Sequence, residues 1–242
     1  MIRILYFIFS FLTVVMAPLA DAENKVRAEL ISSTQEVVPG TTVWLGLSLD
    51  IDSDWNTYWK NAGATGLPPN IVLSDGADKI EPNLQFPLPR SKLFGDDLSL
   101  LTYGYVNSVV HPFQIKVPTN ASKTWNLAGD ATWLVCKDIC IPETQSVSLS
   151  LSVVSNDQEI KLSADSNIIN TARGLVPTDY PARGNFSGSN TLWIENLQGN
   201  TISDVMPEKS GEILGLVQKV SWLDGGVFVT MDRALLPEDF LS

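Results

Sequence analysis

The sequence predicts an all-β protein built around an immunoglobulin-like antiparallel β-sandwich, and three observations predict it. Residues 42–49 alternate with a period of two, which puts Val43, Leu45, Leu47 and Leu49 on one face of a strand. Further short apolar runs are separated by Gly, Pro, Asn and Asp, with little helical periodicity between them. These runs cover residues 25–33, 70–73, 106–117, 128–135 and 147–154. The composition, with 44% hydrophobic residues, 14 prolines and 16 glycines, suits one or two domains with a sizeable core.

The first 22 residues have the pattern of a secretory signal peptide. Arg3 precedes an uncharged apolar run, and residues 20–22 read Ala-Asp-Ala, an A-x-A cleavage site. The alternative is an uncleaved N-terminal anchor. We therefore expect an exported chain whose first domain covers residues 23–155, in a compartment that permits disulfides.

The charge of the chain excludes some classes of partner. The formal net charge is −11 and no cluster of Lys or Arg occurs. A field of this sign repels nucleic acid and anionic membrane surfaces, so we expect neither as a partner.

The only two cysteines, Cys136 and Cys140, lie close together in the sequence. On a straight strand their Cα atoms would be about 13 Å apart, beyond the ~7 Å limit for a disulfide. A bond between them therefore requires a turn at residues 137–139. The apolar residues 133–135 predict a buried strand before this turn, and Pro142 suits an edge or strand end after it.

Three interpretations fit two thiols at this spacing. A structural disulfide would stabilise the fold by only about 2 kcal/mol, because the loop it closes is short. Redox exchange favours a short-spaced, accessible pair, in which Lys137 would lower and Asp138 would raise the pKa of a neighbouring thiol. A Cu(I) site, assisted by Met206 or Met231, is the third. Zinc is disfavoured because it needs four ligands and His111 is the only histidine, which we expect to be structural.

Two aromatic-rich stretches precede the cysteines. Trp55, Tyr58 and Trp59 lie within five residues and predict either a core plug at one end of the sandwich or a recognition surface. Residues 86–105 predict a second long loop with aromatic residues, which would either anchor the surface or cover a site.

The C-terminal third predicts a helix and further strands. Residues 163–174 predict a short helix with Ser163 as its N-cap, Ile168, Ile169 and Ala172 on its buried side, and Gly174 at its end. We assign residues 156–176 to a helical linker and residues 177–242 to a second, small or incomplete β-domain. A loop-like linker over residues 177–190 precedes its predicted strands. These strands cover residues 191–195, 213–222 and 227–231, with a hairpin signal at residues 224–226.

Four motifs resemble the periplasmic N-terminal domain of DsbD-like thiol:disulfide interchange proteins, most closely the branch of the copper-sensitivity suppressor ScsB. They are W-x-x-Y-W-K-N-x-G-x-x-G-L-P at residues 55–68, F-P-x-P-R at 86–90, Y-G-Y at 103–105 and W-L-V-C-K-x-I-C-I-P at 133–142. The resemblance covers about residues 25–155. It implies an immunoglobulin-like fold and a cysteine pair that shuttles electrons without a bound cofactor, in a setting of cytochrome c biogenesis or copper tolerance.

The resemblance also implies roles for particular residues. Cys136 and Cys140 match the redox pair, and Cys140 matches the cysteine that forms the mixed disulfide with partners. The aromatic cap over the thiols matches residues 94–105, and the candidates for cap or partner contact are Phe94, Tyr103, Tyr105, Trp55, Tyr58 and Trp59. The implied partners are membrane and thioredoxin-like electron donors and periplasmic disulfide-bonded clients. The cysteine spacing is shorter than in the best-known DsbD modules. Neither donor domain is in this chain, so we expect donors on another polypeptide or on the rest of a longer one.

Overall fold

The structure is a computed structural model with side chains. It describes residues 24–94, 100–156, 160–179, 183–187, 191–195, 205–208, 218–223 and 226–231. The predicted signal peptide, residues 1–22, lies outside the described residues. Within these ranges no helix is long and apolar enough to cross a bilayer.

The described residues form one helix and fifteen strands. The strands are β1 (Val26–Ser32), β2 (Glu36–Val37), β3 (Thr42–Ile51), β4 (Thr57–Gly63), β5 (Asn70–Ser74), β6 (Lys79–Ile80), β7 (Arg90–Phe94), β8 (Leu100–Tyr105), β9 (Ser108–Lys116), β10 (Thr124–Cys136), β11 (Cys140–Val153), β12 (Arg183–Ser187), β13 (Thr191–Glu195), β14 (Gln218–Leu223) and β15 (Gly226–Met231). The helix, α1, covers Ser166–Gly174.

The first part of the chain is the predicted sandwich. One sheet has the strand order β1-β3-β9 and the other the order β2-β11-β10-β5-β6. A single core cluster joins the two, with Leu45 and Leu47 from the first sheet and Ile71, Leu127 and Val135 from the second. All-β, immunoglobulin-like architecture is therefore confirmed.

Strand β3 shows why the alternating pattern predicts a strand correctly. Val43, Leu45, Leu47 and Leu49 are all buried in the core. Trp44 points to the opposite face, where Arg173 of α1 stacks 3.9 Å from its ring centre. The period of two thus assigns one face to the core and the other to the helix.

A third sheet, in the order β4-β8-β7, occupies much of the region predicted as loops. The loop prediction for residues 86–105 is therefore wrong for β7 and β8, which pair antiparallel from Arg90↔Gly104 to Phe94↔Leu100. The glycines that signalled loops mark close backbone approaches. At Gly104, for example, a Cβ atom would lie 2.0 Å from the carbonyl oxygen of Thr57.

Helix α1 packs on the outer face of the first sheet but begins later than predicted. Its N-cap is Asp165, and Ser163 instead accepts a hydrogen bond from the Asp165 N–H (3.1 Å) and donates one to the Ser32 carbonyl. Ile169 and Ala172 are buried as predicted, whereas Ile168 is 51% exposed, so its predicted burial is wrong. The Ser163 contact ties the segment before the helix to β1.

The C-terminal strands form a separate sheet in the order β12-β13-β15-β14. Strand β12 lies inside the predicted linker, so that part of the linker prediction is wrong. Strands β14 and β15 pair antiparallel as predicted, although residues 224–225 of the predicted hairpin turn lie outside the described residues. The division of the chain into domains at residues 155 and 176 stays a prediction.

Candidate redox site at the cysteine hairpin

The two cysteines face each other at the end of the β10–β11 hairpin. The register runs without interruption from Thr124↔Ser152 to Cys136↔Cys140, and residues 137–139 form the turn. The Cα atoms of Cys136 and Cys140 are 4.1 Å apart and their sulfurs form a disulfide. The turn that the spacing requires is therefore present.

The two halves of this disulfide differ in exposure. Cys136 has no exposed surface and packs in a small cluster with Tyr58 and Ala62. Cys140 is exposed, and Ile139 beside it in the turn is 66% exposed. An incoming thiolate would therefore meet Cys140 before Cys136.

Strand β4 is joined to the hairpin next to the disulfide. The backbone N–H of Asn56 donates to the Cys136 carbonyl, and the Cys136 N–H donates to the Asn56 carbonyl, both at 2.9 Å. This isolated antiparallel bridge comes just before β4 begins. It fixes the positions of Asn56 and Tyr58 relative to the sulfurs.

Tyr58 is the side chain on β4 that contacts the disulfide. Its hydroxyl oxygen lies 3.8 Å from Cys140 Sγ. A disulfide sulfur carries no hydrogen, so the tyrosine is the donor in this contact. Burial raises the pKa of Tyr58, and a hydrogen bond with the side chain of Asn56 opposes that rise. Tyr58 therefore stays protonated at neutral pH.

Gly66 explains why the loop after β4 is rich in glycine. Its φ is +116°, and a Cβ atom there would lie 2.4 Å from the Tyr58 ring. Only glycine allows the loop to close over the ring at this distance and conformation. The G-x-x-G part of the aromatic motif thus shapes the pocket for Tyr58.

The charges near the turn partly compensate one another. Lys137 Nζ lies 3.2 Å from Asp54 Oδ2, and both side chains are solvent-exposed. Asp138 is exposed in the same turn. On the other side of the site, Lys92 of β7 donates to Asn56 Oδ1 at 3.1 Å.

Most of the predicted cap residues contribute to the core instead of the surface. Trp59 and Tyr103 meet edge to face at 6.4 Å, and both are buried, as is Tyr105, whose hydroxyl donates to the Pro87 carbonyl at 2.7 Å. Trp55 is half-buried against the same core. Trp59 packs in the core as the core-plug interpretation expects, whereas Tyr58 packs against Cys136 in a separate cluster. In this conformation Trp59, Tyr103 and Tyr105 offer a partner almost no surface.

Only part of the predicted cap over residues 94–105 lies outside the described residues, because residues 100–105 form β8. Phe94 ends β7, and residues 95–99 follow it without a described structure. A cap formed by residues 94–105 therefore stays a prediction.

His111 is a core residue, as predicted. It is fully buried between the rings of Phe86 and Tyr105, whose centres are 4.8 and 5.2 Å away. Burial lowers the pKa of His111 to about 4. The imidazole is neutral at physiological pH.

The described residues add nothing to the Cu(I) interpretation. Both sulfurs are paired, and a disulfide offers no thiolate to a metal ion. Met206 packs against the main core, and Met231 ends β15 in the C-terminal sheet. In the part of the chain that the structure describes, no group of three or more His, Cys, Asp or Glu side chains could hold a metal ion.

Three residues whose side chains make contacts in this region were not identified from the sequence: Asn56, Lys92 and Glu143. Asn56 and Lys92 are ordinary polar residues in stretches predicted as loops. Glu143 is buried, and its carboxylate accepts hydrogen bonds from the backbone N–H of Lys25 (2.7 Å), that of Val26 (3.2 Å) and Trp133 Nε1 (2.9 Å). Trp133 and Glu143 lie opposite each other across the hairpin. This spacing about the turn is the only pattern that could have indicated the hydrogen bonds of Glu143.

Comparison with protein families places the fold and the cysteine hairpin in a known group. The family described as "Thiol:disulfide interchange protein DsbD, N-terminal" matches residues 27–152, just over half of the chain. The chain belongs to this family. The match includes almost all of the sandwich and both cysteines of the hairpin, and so confirms the resemblance in the four motifs.

Among solved structures, the N-terminal periplasmic domain of ScsB from Proteus mirabilis is similar to this chain. It matches with a TM-score of 0.58 and 23% identity, over 86% of this chain and 77% of that one. The fold is therefore shared over more of the chain than the DsbD family match covers.

Two other structures match weakly. AvmM, which catalyses macrocyclization in alchivemycin A biosynthesis, has a TM-score of 0.26 and 12% identity over 56% of this chain and 93% of its own. A DUF4466 family protein from Parabacteroides merdae ATCC 43184 has a TM-score of 0.24 and 11% identity over 81% and 72%. Scores this low do not indicate a common fold. No curated protein matches the chain.

Proposed function

We propose that this chain is a periplasmic thiol–disulfide exchange module. It accepts reducing equivalents from a thioredoxin-like or membrane-bound donor and passes them to oxidised client proteins through Cys136 and Cys140. The observation that carries the proposal is the disulfide at the hairpin end, between one buried cysteine and one exposed cysteine, in a chain of the DsbD N-terminal family.

The position of the disulfide favours exchange over a structural role. The register of β10 and β11 is continuous up to the two cysteines, so the backbone ladder already holds the strands together. Closing so short a loop stabilises the fold by only about 2 kcal/mol. The bond therefore contributes little that the hairpin lacks.

The difference in exposure supports an order of events. A donor thiolate attacks Cys140 Sγ, the Cys136–Cys140 bond breaks, and Cys136 leaves as a thiolate that takes up a proton. The donor's second thiolate then attacks the donor sulfur that is bonded to Cys140, and Cys140 is released. Two electrons pass to the pair, and the donor dithiol becomes a disulfide. The same steps in reverse reduce a client.

A periplasmic location is supported by the signal-peptide pattern in residues 1–22 and by the periplasmic domain that shares the fold. The exchange needs no bound cofactor, because the electrons travel on sulfur.

Reduction potential tests this proposal directly. Thiol trapping across glutathione buffers should give a value between about −180 and −270 mV, the range of exchanging oxidoreductases. Cys136→Ser should accumulate mixed disulfides with a thioredoxin-like donor through Cys140, whereas the control Cys140→Ser should not. A potential below about −300 mV, with thiols that react only after unfolding, would establish a structural bond instead.

A further inference from the structure

A line of polar contacts runs from a lysine on β7 to Cys140 Sγ. Lys92 Nζ lies 3.1 Å from Asn56 Oδ1. The Asn56 side chain is also close enough to the Tyr58 hydroxyl to lower the pKa of Tyr58 by hydrogen bonding, against the larger effect of burial. The Tyr58 hydroxyl, in turn, lies 3.8 Å from Cys140 Sγ. Asn56 and Tyr58 therefore lie between the Lys92 ammonium and the Cys140 sulfur.

The lysine sets the direction of every bond in this line. An ammonium has donors only, so it fixes the amide oxygen of Asn56 towards itself. The NH₂ group of Asn56 is then left to face Tyr58 and donates to the hydroxyl oxygen. This leaves the hydroxyl hydrogen of Tyr58 to point at Cys140 Sγ. All three donors thus point from Lys92 towards the sulfur.

The middle of the line is shielded from water. Asn56 is 4% exposed and Tyr58 is 1% exposed, whereas Lys92 itself lies at the surface. Hydrogen bonds in such surroundings are less screened than in water and polarise one another. A charge at Lys92 can therefore act on a sulfur that it does not touch.

We propose that Lys92 is a positioning residue that acts through Asn56 and Tyr58 to stabilise the Cys140 thiolate formed when the disulfide opens. The inference rests on the proposed function, because it takes the pair to be redox-active. The Tyr58 contact is weak in the oxidised protein, since a disulfide sulfur is a poor acceptor. It strengthens when the sulfur becomes an anion, because hydrogen bonds to charged groups are stronger than those to neutral ones.

This stabilisation acts at a defined step of exchange. The donor's second thiolate attacks the donor sulfur that is bonded to Cys140. The bond between that sulfur and Cys140 Sγ breaks, and the electron pair of this bond goes to Cys140 Sγ. Cys140 leaves as a thiolate, and a leaving group with a lower pKa departs faster. Lys92 therefore speeds the release of reduced module from its donor.

The other charged groups near the sulfur do not belong to this line. Lys137 is paired with Asp54, and Asp138 is exposed in the turn. The Glu143 carboxylate accepts hydrogen bonds from the backbone of Lys25 and Val26. These groups stay unchanged in the variants below, so a difference between variants reports on Lys92.

The test measures the pKa of the Cys140 thiol in a Cys136→Ser background, from the pH dependence of alkylation by iodoacetamide. Lys92→Gln should raise this pKa by about half a unit to one unit, which slows alkylation about three- to tenfold below the pKa. Lys92→Arg, which keeps the charge and the donors, should restore the original value. Lys60→Gln removes the same charge from β4, where Lys60 pairs with Glu208, and should leave the pKa unchanged.

Tyr58→Phe shows whether the effect travels along the line. It should raise the Cys140 pKa at least as much as Lys92→Gln, and adding Lys92→Gln to it should add nothing further. An equal shift from Lys92→Gln in both backgrounds would mean direct action through space and would overturn the proposal. No shift from Lys92→Gln in the Tyr58-containing protein would overturn it as well.

Two controls separate this inference from the proposed function and from misfolding. The thiol pKa is measured without any partner, so a Lys92 effect in a protein that exchanges with no donor would refute only the exchange function. A normal exchange rate with no Lys92 effect would refute only the inference. If Cys136→Ser unfolds, the reduced wild type serves, because Cys136 is fully buried and mass spectrometry assigns the alkylation to Cys140.

Discussion

Strands β3 and β4 differ in what their two faces contact. In β3 the buried residues alternate with more exposed ones over most of its length, because one face forms the core. In β4 five of seven residues are buried, including Thr57, Tyr58, Trp59 and Asn61. Trp59 faces the core, while Tyr58 on the other side packs against the cysteine hairpin.

This difference separates stability from chemistry in the molecule. Among the described residues, the cluster around Cys136 contains Tyr58, Ala62 and Leu134 but no residue of β3, whose buried side chains pack in the main core. Strand β4 contributes packing through one face and contacts the redox site through the other. A change in β3 should therefore alter the free energy of unfolding without altering the disulfide, and a change near β4 should alter both.

The largest expected effect belongs to β3. Leu47 has no exposed surface, so Leu47→Ala should lower the free energy of unfolding by about 2–5 kcal/mol through lost packing and a cavity. Denaturant unfolding measures this. The reduction potential of the cysteine pair should stay at the wild-type value.

Leu162→Ala is the matched control for this change. Leu162 is 69% exposed, so its truncation should alter stability by less than about 0.5 kcal/mol. A shift in reduction potential with Leu47→Ala, but not with Leu162→Ala, would show that β3 is coupled to the site and would remove the distinction between the strands.

The same difference explains how far the sequence could predict this fold. Strand β3 was predictable because a one-sided strand leaves an alternating pattern, and β10 and β11 were predictable from apolar runs on either side of the cysteines. Strand β4 leaves no such pattern, because both of its faces are covered. Strand β8 carries Gly104 at a close backbone approach, and prolines precede β7, so in sequence both strands look like loops.

The candidate site was predictable in the same uneven way. The cysteine pair and its turn follow from spacing, and the four motifs identify the family. The contacts of Asn56 and Lys92 depend on strands distant in sequence, and nothing in the local sequence distinguishes these two residues from ordinary surface ones. Tyr58 was identified only as one of several aromatic residues, because its contact with Cys140 spans 82 positions.

His111 of β9, which pairs with Leu47 of β3, should make the stability of the fold depend on pH. Because the pKa of His111 falls from 6.5 to about 4 on folding, the unfolded chain binds more protons between these values. Stability is therefore full above about pH 6.5 and falls as the pH drops towards 4, by on the order of 3 kcal/mol in total. Denaturant unfolding between pH 5 and 7, where carboxylates contribute least, measures the slope.

His111→Leu is the control, since His111 is the only histidine in the chain. This variant should lose the His-dependent slope, and its stability should vary little between pH 5.5 and 7. An unchanged slope in His111→Leu would mean that other groups cause the pH dependence. The reduction potential at constant pH tests whether this core position, like β3, leaves the site unaffected.

The smallest expected effect on stability is in the loop after β4. A substitution there should also change the reduction potential of the cysteine pair. Gly66→Ala forces a side chain into positive φ and into the ring of Tyr58, and should cost about 1–3 kcal/mol. Gly76 also has positive φ (+92°), but nothing lies within 4 Å of its Cβ position. Gly76→Ala should therefore be destabilised only by the backbone strain of a positive φ.

The pair of variants isolates the contact between β4 and the disulfide. Both should lose stability, but only Gly66→Ala should displace Tyr58 and change the reduction potential and the alkylation rate of Cys140. Equal redox properties in the two variants would mean that the position of Tyr58 does not affect the sulfur. Strand β4 would then differ from β3 only in packing, and the stabilisation of Cys140 would have to come from the turn residues Lys137 and Asp138.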